Sequence, residues 1–417
     1  MRTMGFLLVL PAAEQIGGID IPSEGTFKVL FVFCQFSDDN YDTGNSYWTK
    51  GSAPSFMNTW VDATWNQNAT AYSLTDYFNQ MSMNKFKLIG NSVSVIAPHT
   101  RQWYLDNNKD RSFIHSEIIQ QLDQTIDFSA YDNWTKSSNY NHLNVADGKV
   151  DFVVFIWRNT ALDRTDAGTV ISKLYMGWYG DTSIYPEVSV DGGLRTVGWE
   201  GATIRDVFYK DVKQFTIHEI AHYLLGGNDT HNGFGAMLSG YGIRSYMINA
   251  WERYRLGWCN VTTIPKTTQT VSNATLSDFI TTGVAYRVEI NAANNQYFYI
   301  ENHQRISRWD VPSIHDQTET GLYVFRQDAN YSTTAVQGAD FNWLMSADGR
   351  YDWQVNSMSA NPWVPYNLPV FKKLDADRVN GYFEGEKIPF TYGGTAYPPY
   401  EVLYQEDASG NKILKHV

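Results

Sequence analysis

The sequence predicts an α/β layer followed by a β-rich unit. Three observations carry this expectation. Apolar strand-length runs alternate with helical patterns up to Phe215, a compact histidine-bearing helix closes that alternation, and strand-length pieces with little helical periodicity follow from Val261 onward. The change in character sets the expected domains at residues 1–260 and 261–417, the second ending in a loop-rich tail.

Each element has a local reason. Near the N-terminus "GFLLVL" reads as the first strand of a mature chain, with a secretory signal as the alternative, although Pro11 cuts the apolar run short. "TFKVLFVFCQF", residues 26–36, is a buried strand bounded by Gly25 and "SDDN". Ser73 stands three residues before Asp76 as a near capping box, so a helix is expected from Leu74. "KFKLIGNSVSVIA" alternates and reads as the next strand or a hairpin. In "DRSFIHSEIIQQLDQTI" the apolar residues Phe113, Ile114, Ile118, Leu122 and Ile126 recur at helical spacing. "VDFVVFIWRN", from Val150, is a second fully apolar strand. Asp211, followed at the third residue by Gln214, caps the next helix, and Gly226–Gly227 end it. "VAYRVEI", "QYFYIENHQ" and "GLYVFRQD" are strands of the second unit. Beyond Asn361 the Pro-, Tyr- and Gly-rich chain is a loop-rich wrap or a further small β unit.

Composition excludes several classes. A chain of 417 residues buries a large core without disulfides, and Cys34 and Cys259 form neither a disulfide framework nor a metal-type cysteine spacing. Net charge is -12 and basic residues run no longer than a pair such as Lys372–Lys373, which argues against a nucleic-acid partner. No stretch approaches the roughly 18 apolar residues of a membrane helix, so a soluble protein with no transmembrane segment is expected. Aromatic residues make up 15%, which suits β-rich packing, with binding surfaces as the second use. Nothing in the sequence sets an oligomeric state, and a monomer is the default.

Chemistry concentrates in "FTIHEIAHYLLGGNDTHNGFGAM", Phe215 to Met237. His218 and His222 lie about one turn apart on one helix face, where both imidazoles can reach one ion at roughly 2.0–2.1 Å. Glu219 sits beside them, placed to take a proton from a water the ion polarises. His-Glu-x-x-His thus supplies Lewis acid, nucleophile and proton shuttle for amide hydrolysis, the competing reading being an exposed helix with two satisfied histidines. A catalytic zinc takes three protein ligands and keeps one position open. Three third donors are considered, in this order: His231, nine residues after His222; Asp229, seven after it; and Glu252 in "NAWERYRLGW". Glycine-bracketed Met237 in "GFGAMLSGYG" reads as a tight turn carrying a methionine beneath the histidines. Tyr241, and after it Tyr246, are candidates to donate a hydrogen bond to a tetrahedral oxyanion, against the alternative of a packed tyrosine. Asp127, Asp132, Asp147 and Asp151 surround one loop and could hold Ca²⁺, the alternative being a solvated turn capped by aspartates.

With these residues in order, the chain resembles the zinc metallopeptidases of the immune inhibitor A type, metzincin-like members of the zincin superfamily. The likeness rests on "KVLFVFCQFSDD", "SLTDYFNQMSMNKFKLIG", "DFSAYDNW" leading to "DGKVDFVVFIWRN", then "HEIAH", "WERYRLGW" and "YFYIENHQR", across about residues 25 to 330. It implies a zincin-like catalytic domain, with a twisted mixed sheet behind the active-site helix, followed by a β-rich accessory domain. It further implies a secreted or cell-surface bacterial endopeptidase acting on polypeptides, with a single catalytic zinc and, in many members, a calcium. One departure matters. Members commonly show His-Glu-x-x-His-x-x-Gly-x-x-Asp, whereas here the first glycine, Gly226, comes one residue late. Allowing that insertion, Asp229 falls on the family's acid, while His231 offers the ligand that related metzincins use. The rival class is a surface protein- or glycan-binding module with a structural, non-catalytic zinc. A zymogen form is a third possibility, and no motif sets substrate preference.

Overall fold

In the computed structural model the described residues are 15–39, 48–158, 180–206, 209–226, 237, 246, 248–268, 271, 274–292, 296–310, 321–327, 343–344, 388–392, 395–400, 404–406 and 412–414. The strand expected at "GFLLVL" lies outside them. The first part of the chain runs β1 (Gly25–Gln35), α1 (Leu74–Met81), β2 (Phe86–Ile96), α2 (Arg101–Asp106), α3 (Arg111–Leu122), β3 (Thr135–Ser138), β4 (Asn141–Leu143) and β5 (Val153–Arg158). It continues with β6 (Val188–Val190), β7 (Arg195–Val197), β8 (Gly201–Asp206), α4 (Tyr209–Leu225) and α5 (Ala250–Arg255). Then come β9 (Asn260–Ile264), α6 (Phe279–Thr282), β10 (Val284–Asn291), β11 (Gln296–His303), β12 (Gly321–Gln327) and β13 (Trp343–Leu344). Two hairpins close the chain, β14 (Ile388–Tyr392) with β15 (Thr395–Tyr400) and β16 (Tyr404–Glu406) with β17 (Lys412–Leu414). The architecture is mixed α/β, with several sheets and few helices.

Apolar alternation in β1 explains the layering. Phe27, Val29, Phe31 and Phe33 point to one side, into a cluster with Leu74, Phe78 and Met81 of α1 and Ile217, Ile220 and Leu224 of α4. Leu30, Val32 and Cys34 point to the other, against Ile114, Ile118, Ile119 and Leu122 of α3. A strand covered on both faces reads as one continuous apolar run, as β1 and β5 do. The sheet order is β2-β1-β5-β8 and all three pairings are parallel. The mixed strand direction that the resemblance implied for the sheet behind the active-site helix is not found among the described strands of this sheet. The connections are long, β1 to β2 passing through α1 and β2 to β5 through α2 and α3, which is what parallel pairing requires.

Several boundaries differ from expectation. "KFKLIGNSVSVIA" forms a single strand, β2, not a hairpin. α3 begins as expected, with Asp110 accepting from the Phe113 N–H at 3.0 Å, but it ends at Leu122, so Ile126 lies beyond it. α4 starts at Tyr209, which places Asp211 inside the first turn instead of at the cap. At its other end Gly226 takes φ 80° and donates to the His222 carbonyl at 2.7 Å, a left-handed closure that glycine accepts without strain.

The second sheet has the order β13-β12-β11-β10-β9 and is antiparallel apart from the parallel β9–β10 pair. The expected boundary after residue 260 falls at the start of β9, and the hydrophobic cluster continues across it. Phe279, Ile280, Tyr299, Tyr323 and Phe325 belong to the same cluster as α1, α4 and one face of β1. No helix among the described residues is long and apolar enough to cross a membrane.

Candidate metal centre

α4 buries Val212, Ile217, Ile220, Ala221, Leu224 and Leu225 against the sheet. That burial fixes the helix rotation and so sets where the remaining side chains point. His218 and His222 are themselves buried, and their Nε2 atoms stand 3.1 Å apart with the rings perpendicular at 90°. Two nitrogen ligands of one tetrahedral ion at 2.0–2.1 Å are separated by about 3.3 Å. The pair is therefore already spaced for a shared zinc, and its donors are the neutral nitrogens that zinc prefers. Without a metal the same spacing suits one Nε2–H donating to the other nitrogen.

Glu219 is buried next to them. Burial, reinforced by the Asp181 carboxylate, pushes it up to about 8, well above an ordinary glutamate. A positive ion nearby acts in the opposite direction, favouring the carboxylate and lowering its pKa towards the neutral pH range, where a general base works best. Next along the helix, the Tyr223 hydroxyl donates to the Gly180 carbonyl at 2.5 Å and accepts from the Gly201 N–H at 3.2 Å, tying α4 to the start of β8. A cavity of about 720 Å³ opens beside His222 and Tyr223, with Trp134, Asp151, Asp181 and Trp199 among its walls.

The remaining predicted residues divide. His231, Asp229 and Tyr241 lie outside the described residues. Met237 is buried in the same hydrophobic cluster as Ile217 and Ile220. Glu252 is fully buried at the third position of α5, in a capping box with Asn249. Its Oε2 accepts the Met237 N–H at 2.9 Å and the Asn249 N–H at 3.4 Å, so this carboxylate holds the turn at Met237. Tyr246 stacks edge-on against Trp309, with ring centroids 5.3 Å apart. Among the described residues no group of three His, Cys, Asp or Glu side chains gathers to hold a metal.

The acids considered for calcium serve the loop. Asp132 accepts the Asp147 and Gly148 N–H groups at 2.9 and 3.2 Å and pairs with the Arg195 guanidinium at 2.9 Å. Asp151 accepts from the Asn133 and Trp134 N–H groups, Asp147 from the Lys149 N–H, and Asp127 from the Ser129 N–H. Each of these carboxylates thus accepts backbone N–H groups of its own loop, and Asp151, pushed up to about 7 chiefly by burial, also feels the Asp132 and Asp147 charges.

Sequence reasoning missed a second cluster of charged side chains. Glu301 and His303 of β11, with Asp310 beyond it, are buried and mutually hydrogen-bonded. A signal was present: period-two alternation through "QYFYIENH" places Glu301 and His303 on the same face as Tyr297 and Tyr299. No family model matches the chain, and no curated protein matches it.

Proposed function

We propose that the chain is a secreted or cell-surface zinc-dependent endopeptidase with a zincin-like fold, in which the parallel sheet backs the active-site helix α4 and a β-rich unit follows. The observation that carries this reading is the pair of buried Nε2 atoms 3.1 Å apart on one helix, which also buries Glu219, the residue next to His218. His218 and His222 are two of the metal ligands, and His231 is the third, with Asp229 and Glu252 as the alternatives. Zinc at this position supplies a Lewis acid and lowers the pKa of water towards about 7. Glu219 takes the proton of the attacking water on a carboxylate oxygen and delivers it to the leaving amine nitrogen. Its burial excludes bulk water from that transfer. Substrate side chains are accommodated in the cavity beside His222.

A structural zinc in a binding module would need a fourth protein ligand and no use for a buried acid. Glu219→Gln separates the two readings, because glutamine keeps the shape and loses the base. Cleavage of a mixed protein substrate should fall by about 10²–10⁴-fold with zinc content unchanged. Undiminished cleavage by the variant would exclude Glu219 as the base and the mechanism with it.

A further inference from the structure

We propose that Glu301, His303 and Asp310 are positioning residues of the His218–Glu219–His222 centre, acting through α5 and the Glu252 carboxylate on the turn at Met237. The proposal rests on the zinc-peptidase reading and extends it to side chains of the second sheet.

Asp310 Oδ1 lies 2.7 Å from His303 Nδ1, and Glu301 Oε1 lies 2.9 Å from His303 Nε2. With both acids ionised each ring nitrogen donates and the imidazole is cationic, the state favoured by a His303 raised to about 9, while burial pushes Glu301 up and works against its charge. The second oxygen of each acid is also engaged: Asp310 Oδ2 accepts the Arg305 N–H at 3.0 Å, and Glu301 Oε2 accepts the Ala250 N–H at 2.6 Å. All three side chains are buried. Burying two carboxylates and an imidazolium is expensive, and well-packed apolar residues of similar volume often serve stability as well or better. What such a network provides that an apolar core does not is a fixed orientation.

The group held in place is α5. Six residues of helix are marginal alone, so α5 depends on its anchors. Glu301 holds its first N–H, the Asn249–Glu252 capping box closes its N-terminus, and the Arg253 guanidinium donates to the Gln80, Met81, Phe279 and Ile280 carbonyls. From this helix Glu252 Oε2 reaches the Met237 N–H at 2.9 Å. Met237 in turn is buried in the same hydrophobic cluster that takes in Ile217, Ile220 and Ala221, the apolar residues interleaved with His218, Glu219 and His222. Hydrogen bonds therefore run without a break from Asp310 to Met237, apart from the covalent span of α5 itself.

Glu301→Gln tests the link nearest α5, since an amide can accept only one of the two donors that Glu301 serves. Asp310→Asn tests the far end, where the amide must give up either His303 or Arg305. Both chains are loaded with cobalt(II), whose visible spectrum reports ligand geometry, and assayed on a protein substrate. Folding is checked by circular dichroism. The expected result is a folded chain with a displaced cobalt spectrum and kcat lowered about 10- to 100-fold at little-changed KM, as for loss of outer partners of a metal site. Folded variants with the wild-type spectrum and kcat overturn the proposal alone. If Glu301→Gln does not fold, Asp310→Asn decides; if neither folds, the network is scaffold and the proposal falls. A wild-type chain that takes up no cobalt overturns the zinc reading first and this inference with it.

Discussion

Two imidazole nitrogens held 3.1 Å apart need a shared proton or a shared cation, because two bare lone pairs at that distance repel. The acid beside them sharpens the choice, since burial has already made Glu219 a poor anion in the absence of positive charge. Much of this was legible in the sequence. Spacing of four puts His218 and His222 on one face of any helix, and no tertiary information is needed to see it. The upward shift of Glu219 was not legible, because it depends first on burial within the fold and then on Asp181, which is far away in the chain. Nor was the use made of Asp132, Asp147 and Asp151, whose loop is closed by N–H groups that a sequence does not display. The third donor gives the prediction at this scale. His231→Ala should weaken zinc binding by more than roughly 100-fold, beyond the 10- to 100-fold cost of an outer partner, while Asp229→Ala stays within that range. Competition with a chelator measures both, and the reverse ranking transfers the role to Asp229.

Strands and helices whose cause is local were foreseen. β1 carries the apolar run Val29–Cys34 and β5 the run Val153–Trp157, and α1 has Ser73 accepting from the Asp76 N–H at 3.0 Å. Asp211 misled because a capping residue is recognised only by its backbone geometry, and the helix had already begun at Tyr209. The link between β11 and α5 is an element-scale feature that pairs residues Ala250 and Glu301 across the chain, and it carries a pH dependence. Burial works against the charge on His303, but Asp310 and Glu301 more than offset it and raise the imidazole to about 9 from its ordinary 6.5. Stability from this group is thus complete below about pH 6.5 and is lost as the pH rises through 9. Asp310 is held below the ordinary carboxylate value despite its burial, chiefly by the His303 charge, so its contribution is present at neutral pH and disappears in acid. Lys213, pulled down to about 8 by burial, gains stability over part of the alkaline range. The His303 contribution is therefore the difference between wild type and His303→Gln in urea unfolding across pH 6.5–9. Wild type should lose its advantage over that interval, and parallel curves would show that the imidazole is not the titrating group.

At the scale of the whole molecule, the change of pattern near Val261 marks a new sheet but not a new core. Phe279, Tyr299 and Phe325 pack with α1 and α4 in one cluster, and Arg253 of α5 donates to carbonyls at the ends of both α1 and α6. A sequence shows where periodicity changes. It does not show that the two sheets share one interior, because that depends on which faces meet. The sharing is what allows the second sheet to bear on the histidine pair. The central claim, that His218 and His222 bind zinc together, is tested most directly by metal analysis of freshly purified wild-type chain beside the His218→Ala/His222→Ala double variant. The account predicts equimolar zinc in the wild type and none in a folded double variant. Zinc-free wild type that cannot be reloaded, or a double variant that keeps its zinc, would contradict it.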